Sequence, residues 1–151
     1  MIRLLVVDDQ QGVRQGLRMR LALEPDIAVV GEAADGPSAL RLAADLAPDA
    51  VIMDVGMPGM DGIEAAAAVR VAAPDTQVVI LTVHDDPNTR RRAQMAGAAA
   101  FVVKQKCGGD LITAIRRAVG GQPRDDREGP AGLSADRGGP SKVGGANRPL
   151  V

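Results

Sequence analysis

VIMDVGMPGMDG, residues 51–62, runs from a short apolar stretch into a carboxylate and then into Gly, Met and Pro. Val51, Ile52 and Met53 show no polar alternation, the pattern of a strand covered on both faces. Asp54 stands at the end of that strand, and the Gly and Pro residues after it mark a loop. An ionised group at the end of a covered strand needs a chemical reason, and the rest of the chain supplies candidates.

Four other β-branched runs share the character of AVIM (50–53): IRLLVV (2–7), IAVVGE (27–32), QVVILT (77–82) and AFVV (100–103). Segments of helical period lie between them. Val13, Leu17 and Leu21 recur every fourth position, Pro37 suits a first helical turn after Gly36, and Ile63, Ala67 and Val71 repeat the spacing. Asp110 reads as the N-cap of a last helix with Leu111, Ile115 and Ala118 on one face. Strict alternation of strand and helix predicts an α/β fold, a doubly wound parallel sheet of five strands. Right-handed crossovers leave a few strand orders open, of which 2-1-3-4-5 is one.

The 151 residues make one domain by size, and a formal charge of -1 gives no electrostatic reason to expect nucleic acid or a membrane surface as partner. No apolar stretch approaches a membrane span, and MIRLLVVDDQ lacks a signal peptide's cleavage pattern, so a cytoplasmic location is expected. Cys107 is the single cysteine, which excludes an internal disulfide and a paired-cysteine metal site. Phe101 is the single aromatic residue. Residues 120–151 hold eight glycines and four prolines among mixed charges and read as a disordered tail after a domain of residues 1–119.

Ligands of open parallel sheets bind beyond the carboxyl ends of the strands. Asp8 and Asp9 follow the first strand, Asp54 ends the third, Thr82 ends the fourth and Lys104 follows the fifth, so all sit at one edge. Two like charges about 4 Å apart repel by roughly 4 kcal/mol at an effective dielectric near 20, so three carboxylates call for a cation beyond one lysine. Oxygen-only ligands favour a hard divalent ion such as Mg²⁺. The reaction class this suggests is phosphoryl transfer onto a carboxylate, with Asp54 as nucleophile. Taken singly, Asp8 and Asp9 also read as helix-entry residues, Asp54 as a turn opener, Thr82 as a strand terminus, Lys104 as a solvated lysine and Phe101 as core. Arg90, Arg91 and Arg92 read as a solvated helix face rather than a nucleic-acid patch, and His84 as a loop residue beside the pocket.

LLVVDD (4–9), VIMDVGMPGMDG (51–62), VVILT (78–82) and AGAAAFVVK (96–104) together resemble the response-regulator receiver domains of two-component signalling, a flavodoxin-like fold with strand order 2-1-3-4-5. The segment 84–104 is most similar to receivers joined to LuxR-type helix-turn-helix domains. The resemblance implies Asp54 as phosphoacceptor and Asp9 as a direct Mg²⁺ ligand beside Asp54. Asp8 would act indirectly, and Gly56 would supply a backbone carbonyl. It implies that Thr82 and Lys104 contact the phosphoryl group, and that Thr82 and Phe101 form the switch.

The implied partners are a histidine kinase as phosphodonor and a second copy through the face of the fourth helix, fifth strand and fifth helix. Such a chain is a regulator rather than an enzyme, although it assists its own phosphorylation and dephosphorylation. Gln105 departs from the family's frequent proline, and Val83 is bulkier than the usual residue, which implies slowed dephosphorylation. No direct DNA binding is expected from this chain. The alternative readings are a DNA-binding transcriptional regulator truncated or frameshifted near residue 120 and, further off, a Mg²⁺-dependent aspartyl phosphatase.

Overall fold

The structure, a computed structural model, describes residues 1–104 and 107–120. The expected tail beyond residue 120 and the departure at Gln105 lie outside the described residues. Five strands and five helices alternate: β1 (Ile2–Val7), α1 (Gln11–Leu21), β2 (Ile27–Ala33), α2 (Gly36–Leu46), β3 (Ala50–Asp54), α3 (Gly62–Ala72), β4 (Gln77–Thr82), α4 (Pro87–Met95), β5 (Ala100–Val103) and α5 (Cys107–Gly120). All neighbouring strands pair in parallel, in the order β2-β1-β3-β4-β5. The expected doubly wound sheet is therefore the observed one.

Period-two alternation divides the core between the two faces of the sheet. Leu5, Val7, Val51, Met53, Val78 and Ile80 point to one side and meet Ala39 and Ala43 of α2 and Ile63, Ala66 and Val69 of α3. Leu4, Val6, Ile52, Val79 and Leu81 point to the other and meet Leu17 and Leu21 of α1 and Leu111, Ile115 and Ala118 of α5. The alanines let α2 and α3 approach the sheet closely, while the larger side chains come from the strands. Each Leu or Ile removed from water here contributes about 1.5–3 kcal/mol, so a central strand such as β3, buried along its length, is a rigid mount for Asp54 at its end.

Two local readings change. On α3 only Ile63 of the expected stripe of Ile63, Ala67 and Val71 is buried; Ala67 faces solvent and Val71 is 84% exposed. The buried residues are Gly62, Ile63, Ala65, Ala66 and Val69, because a helix this rich in alanine carries several apolar stripes and only packing selects one. Asp110 is not an N-cap, since α5 begins at Cys107 and places Asp110 inside its first turn. A carboxylate there still favours the helix through the exposed N–H groups at that end. Leu111, Ile115 and Ala118 are buried as expected.

Three helix entries at the carboxyl edge, those of α2, α3 and α4, are capped by aspartates. Asp61 opens α3 with a reciprocal box: its Oδ1 accepts the N–H groups of Ile63 and Glu64, each at 2.9 Å, and Glu64 Oε1 accepts the Asp61 N–H at 3.1 Å. Asp35 accepts the Ser38 N–H at 2.8 Å with Pro37 in the first turn of α2. Asp86 caps α4, also with a proline in the first turn. These caps end the preceding loops at defined points and so shape the cleft above the sheet.

Candidate functional site: an acidic cleft at the carboxyl edge

Asp8 follows β1 and is 1% exposed, Asp54 ends β3 and is 7% exposed, and Asp9 lies in solvent beside them. Asp54 is thus buried at its strand end, with the Gly and Pro loop following it. One carboxylate oxygen from each of Asp8, Asp9 and Asp54 lies within 4.8 Å of the others. The Lys104 ammonium bridges two of them, at 3.1 Å from Asp8 Oδ2 and 3.2 Å from Asp54 Oδ1. Strand order brings this about, because β1, β3 and β4 are direct neighbours and β5 flanks β4.

Burial, and after it the neighbouring Asp8 charge, push the Asp54 carboxyl above the ordinary aspartate range, against the opposing pull of Lys104 and the Gly56 N–H. For Lys104, burial works to lower the pKa, but the carboxylates of Asp8 and Asp54 outweigh it and raise it. The site therefore holds more negative charge than its one ammonium balances comfortably.

This donor set fits a small hard cation. The three oxygens lie close enough together for such an ion to be held by some of them directly and by others through water. Among the described residues no histidine or cysteine belongs to the cluster, consistent with an oxygen-ligated ion rather than zinc.

The cleft holds about 440 Å³, and its lining includes Asp9, Asp54, Gly56, Thr82, Val83 and Lys104. Thr82 is buried at the end of β4, and its Oγ1 accepts the His84 N–H at 3.4 Å. Val83 is 46% exposed on the cleft wall. His84 also borders the cleft, as its loop position suggested. Under the floor, Gly62 lies so close to Asp54 and Val55 that a Cβ would meet their backbone atoms. Phe101 is half-buried on β5 against the core of the α3 side.

Three contacts escape a reading by local pattern. Arg14 donates to the Asp8 carbonyl at 2.6 Å, Arg90 lies over the Phe101 ring, and Arg92 pairs with Asp61 at 3.0 Å. Arg90 and Arg92 are partly solvated, as expected, but each is also engaged by a specific partner. The only sequence signal for Arg14 is its place in the first turn of α1, where an inward cation faces the preceding loop.

A doubly wound five-stranded sheet with a carboxylate cluster and a lysine at its carboxyl edge defines a class of acidic-pocket α/β domain. Residues 4–116 match the family described as the response regulator receiver domain, and the chain belongs to that family. It is 40% identical over 124 residues to the transcriptional regulatory protein LiaR of Bacillus subtilis, covering 82% of this chain and 59% of that protein. It is 41% identical over 122 residues to the response regulator GacA of Pseudomonas aeruginosa, covering 81% of this chain and 57% of that protein. The chain thus spans somewhat over half the length of these curated relatives. Among solved structures, the receiver domain of the putative response regulator NarL from Mycobacterium tuberculosis matches at a TM-score of 0.75 and 37% identity, covering 80% of this chain and 98% of that one. The response regulator domain of Thermotoga maritima CheB matches at 0.75 and 31%, covering 82% and 99%. No helix among the described residues is long and apolar enough to cross a membrane.

Proposed function

We propose that residues 1–119 form a phosphorylation-switched receiver that takes a phosphoryl group on Asp54 from a histidine kinase. The observation that carries this is the convergence of Asp8, Asp9 and Asp54 within 4.8 Å, with Lys104 bridging the two buried carboxylates. In the transfer, a carboxylate oxygen of Asp54 forms a bond to phosphorus as the P–N bond to the kinase imidazole breaks, and the released imidazole nitrogen takes a proton. Asp9, Asp54 and the Gly56 carbonyl would hold Mg²⁺, with Asp8 acting indirectly. The ion would supply charge neutralisation for the approaching phosphoryl oxygens.

The chain's own groups do the remainder. Lys104, already at hydrogen-bond distance from Asp54, pairs with a phosphoryl oxygen. Thr82, at the end of the adjacent strand, donates its hydroxyl to another. Moving the Thr82 side chain toward the phosphoryl group opens space beside β4, and Phe101 turns into it. The face made by α4, β5 and α5 is then the readout surface, for a second copy or an output partner. Partners that prefer the switched face alter phosphorylation in return. This reading places the protein in the cytoplasm, with the kinase's phosphodonor. LiaR is a transcriptional regulatory protein, and that likeness favours transcription as the output.

Intact mass after incubation with acetyl phosphate, with and without Mg²⁺ and beside Asp54→Ala, tests the reading. One phosphoryl adduct that requires Mg²⁺ and is absent in the variant is expected. A folded wild-type protein that takes no adduct would withdraw Asp54 as an acceptor.

A further inference from the structure

Asp8 is tied down from three directions, two of them through its main chain. Its N–H donates to the Ala33 carbonyl at 3.1 Å, its Oδ1 accepts the Gln10 N–H at 2.9 Å, and its carbonyl accepts Arg14 Nη1 at 2.6 Å. The first two bonds belong to the sheet edge and to a tight local turn. The third comes from a side chain six positions on, in the first turn of α1.

Arg14 is itself held. Its Nε lies 3.1 Å from Glu32 Oε1, and its side chain is 15% exposed. Glu32, on β2, also takes Arg18 at 2.8 Å. The guanidinium uses two different edges, one toward the carboxylate and one toward the carbonyl, and its planar fork fixes the angle between them, which the freely rotating donors of an ammonium do not. The Asp8 carbonyl belongs to the rigid peptide unit that leads into Asp9. Fixing that oxygen therefore limits the rotation that sets the direction of the Asp9 side chain. Gln10, at the N-cap of α1, forms no side-chain cap, so no such cap holds this turn.

We propose that Arg14, braced by Glu32, is a positioning residue that aims Asp8 and Asp9 for a divalent cation. The inference rests on the receiver reading of the acidic cleft and adds to it a residue outside the cleft. Its sign separates it from simple electrostatics. Removing a cation near an acidic cluster should by charge alone tighten Mg²⁺ binding, whereas loss of aim should weaken it. Outer groups that orient ligands typically account for 10–100-fold in metal affinity.

The test is a Mg²⁺ titration of the folded protein followed by the amide resonances of Asp8, Asp9 and Gln10, beside the intact-mass assay. Wild type, Arg14→Met, Arg14→Lys and Glu32→Gln are compared. Arg14→Met is expected to weaken Mg²⁺ binding about tenfold. Arg14→Lys, which keeps the charge but loses the fork, should fall between wild type and Arg14→Met, and Glu32→Gln should shift in the same direction by less. Unchanged or tighter binding in Arg14→Met would overturn the inference and leave the receiver reading standing. Should Arg14→Met fail to fold, unchanged affinity in both Arg14→Lys and Glu32→Gln overturns it equally. A wild-type protein that neither binds Mg²⁺ nor takes a phosphoryl group overturns both readings together.

Discussion

The Arg90 guanidinium lies 4.5 Å from the centroid of the Phe101 ring. It joins α4 to β5 across the surface proposed as the readout face, and Asp85 anchors its other side at 2.7 Å. A cation over an aromatic ring at a partly exposed site contributes about 0.5–1 kcal/mol. The contact holds the ring in the position it must leave if Phe101 turns inward.

Arg90→Ala is therefore expected to lower stability by about 0.5–1 kcal/mol and to free the ring. Because the chain has one phenylalanine, labelling with 4-fluorophenylalanine gives a single fluorine resonance. That resonance should move toward its acetyl-phosphate-treated position in Arg90→Ala before any phosphodonor is added. A spectrum and a urea midpoint identical to wild type would remove the latch.

Gly62 and Gly16 should respond oppositely to the same substitution. A Cβ on Gly62 meets the backbone of Asp54 and Val55, whereas one on Gly16, inside α1, meets nothing within 4 Å. Overpacking against backbone destabilises by roughly 1–3 kcal/mol or more, so Gly62→Ala should lose at least that and should impair adduct formation on Asp54. Gly16→Ala should gain about 0.5–1 kcal/mol from helix propensity. Urea denaturation of both variants reads the contrast, and equal midpoints would contradict the close approach beneath Asp54.

The Asp61 cap predicts a pH dependence. Partial burial works to raise its carboxyl, but the N–H groups of Glu64 and Ile63 and the Arg92 guanidinium outweigh it and hold the group below the ordinary aspartate range. A carboxyl depressed in the folded state stabilises above its unfolded pKa, near 3.9, and that stabilisation disappears as pH falls through the folded value. Asp61→Asn should thus be less stable than wild type at pH ~6, with the gap narrowing as pH falls below the unfolded value near 3.9. Asn is itself a competent N-cap, so the remaining gap reports mainly on charge. A gap that stays constant across that range would refute the charge-based account.

Val83 is 46% exposed on the wall of the cleft that Asp54 also lines. Under the proposed function, Val83→Ala should shorten the lifetime of the acyl phosphate, followed by intact mass after removal of the donor. An equal lifetime would show that the valine does not shield the group.

The local pattern of the chain determined the five strands, the alternation with five helices and the kinds of residue at the strand ends. Those features depend on periodicity and turn chemistry within a few residues, and the ranges of β1, β4 and β5 match the apolar runs residue for residue. Strand order was different in kind. Handedness narrowed it to a few arrangements, and tertiary pairing placed β1 between β2 and β3, which is what brings Asp8 to Asp54. Tertiary packing also chose the face of α3 that carries Ile63, Ala65, Ala66 and Val69, where five alanines among eleven residues made the periodicity degenerate. It started α5 before Asp110 and seated Arg14 on the Asp8 carbonyl and Arg90 on Phe101. A long charged side chain carries no local sign of its partner, because its reach spans several directions and the partner is decided only when the sheet and helices come together.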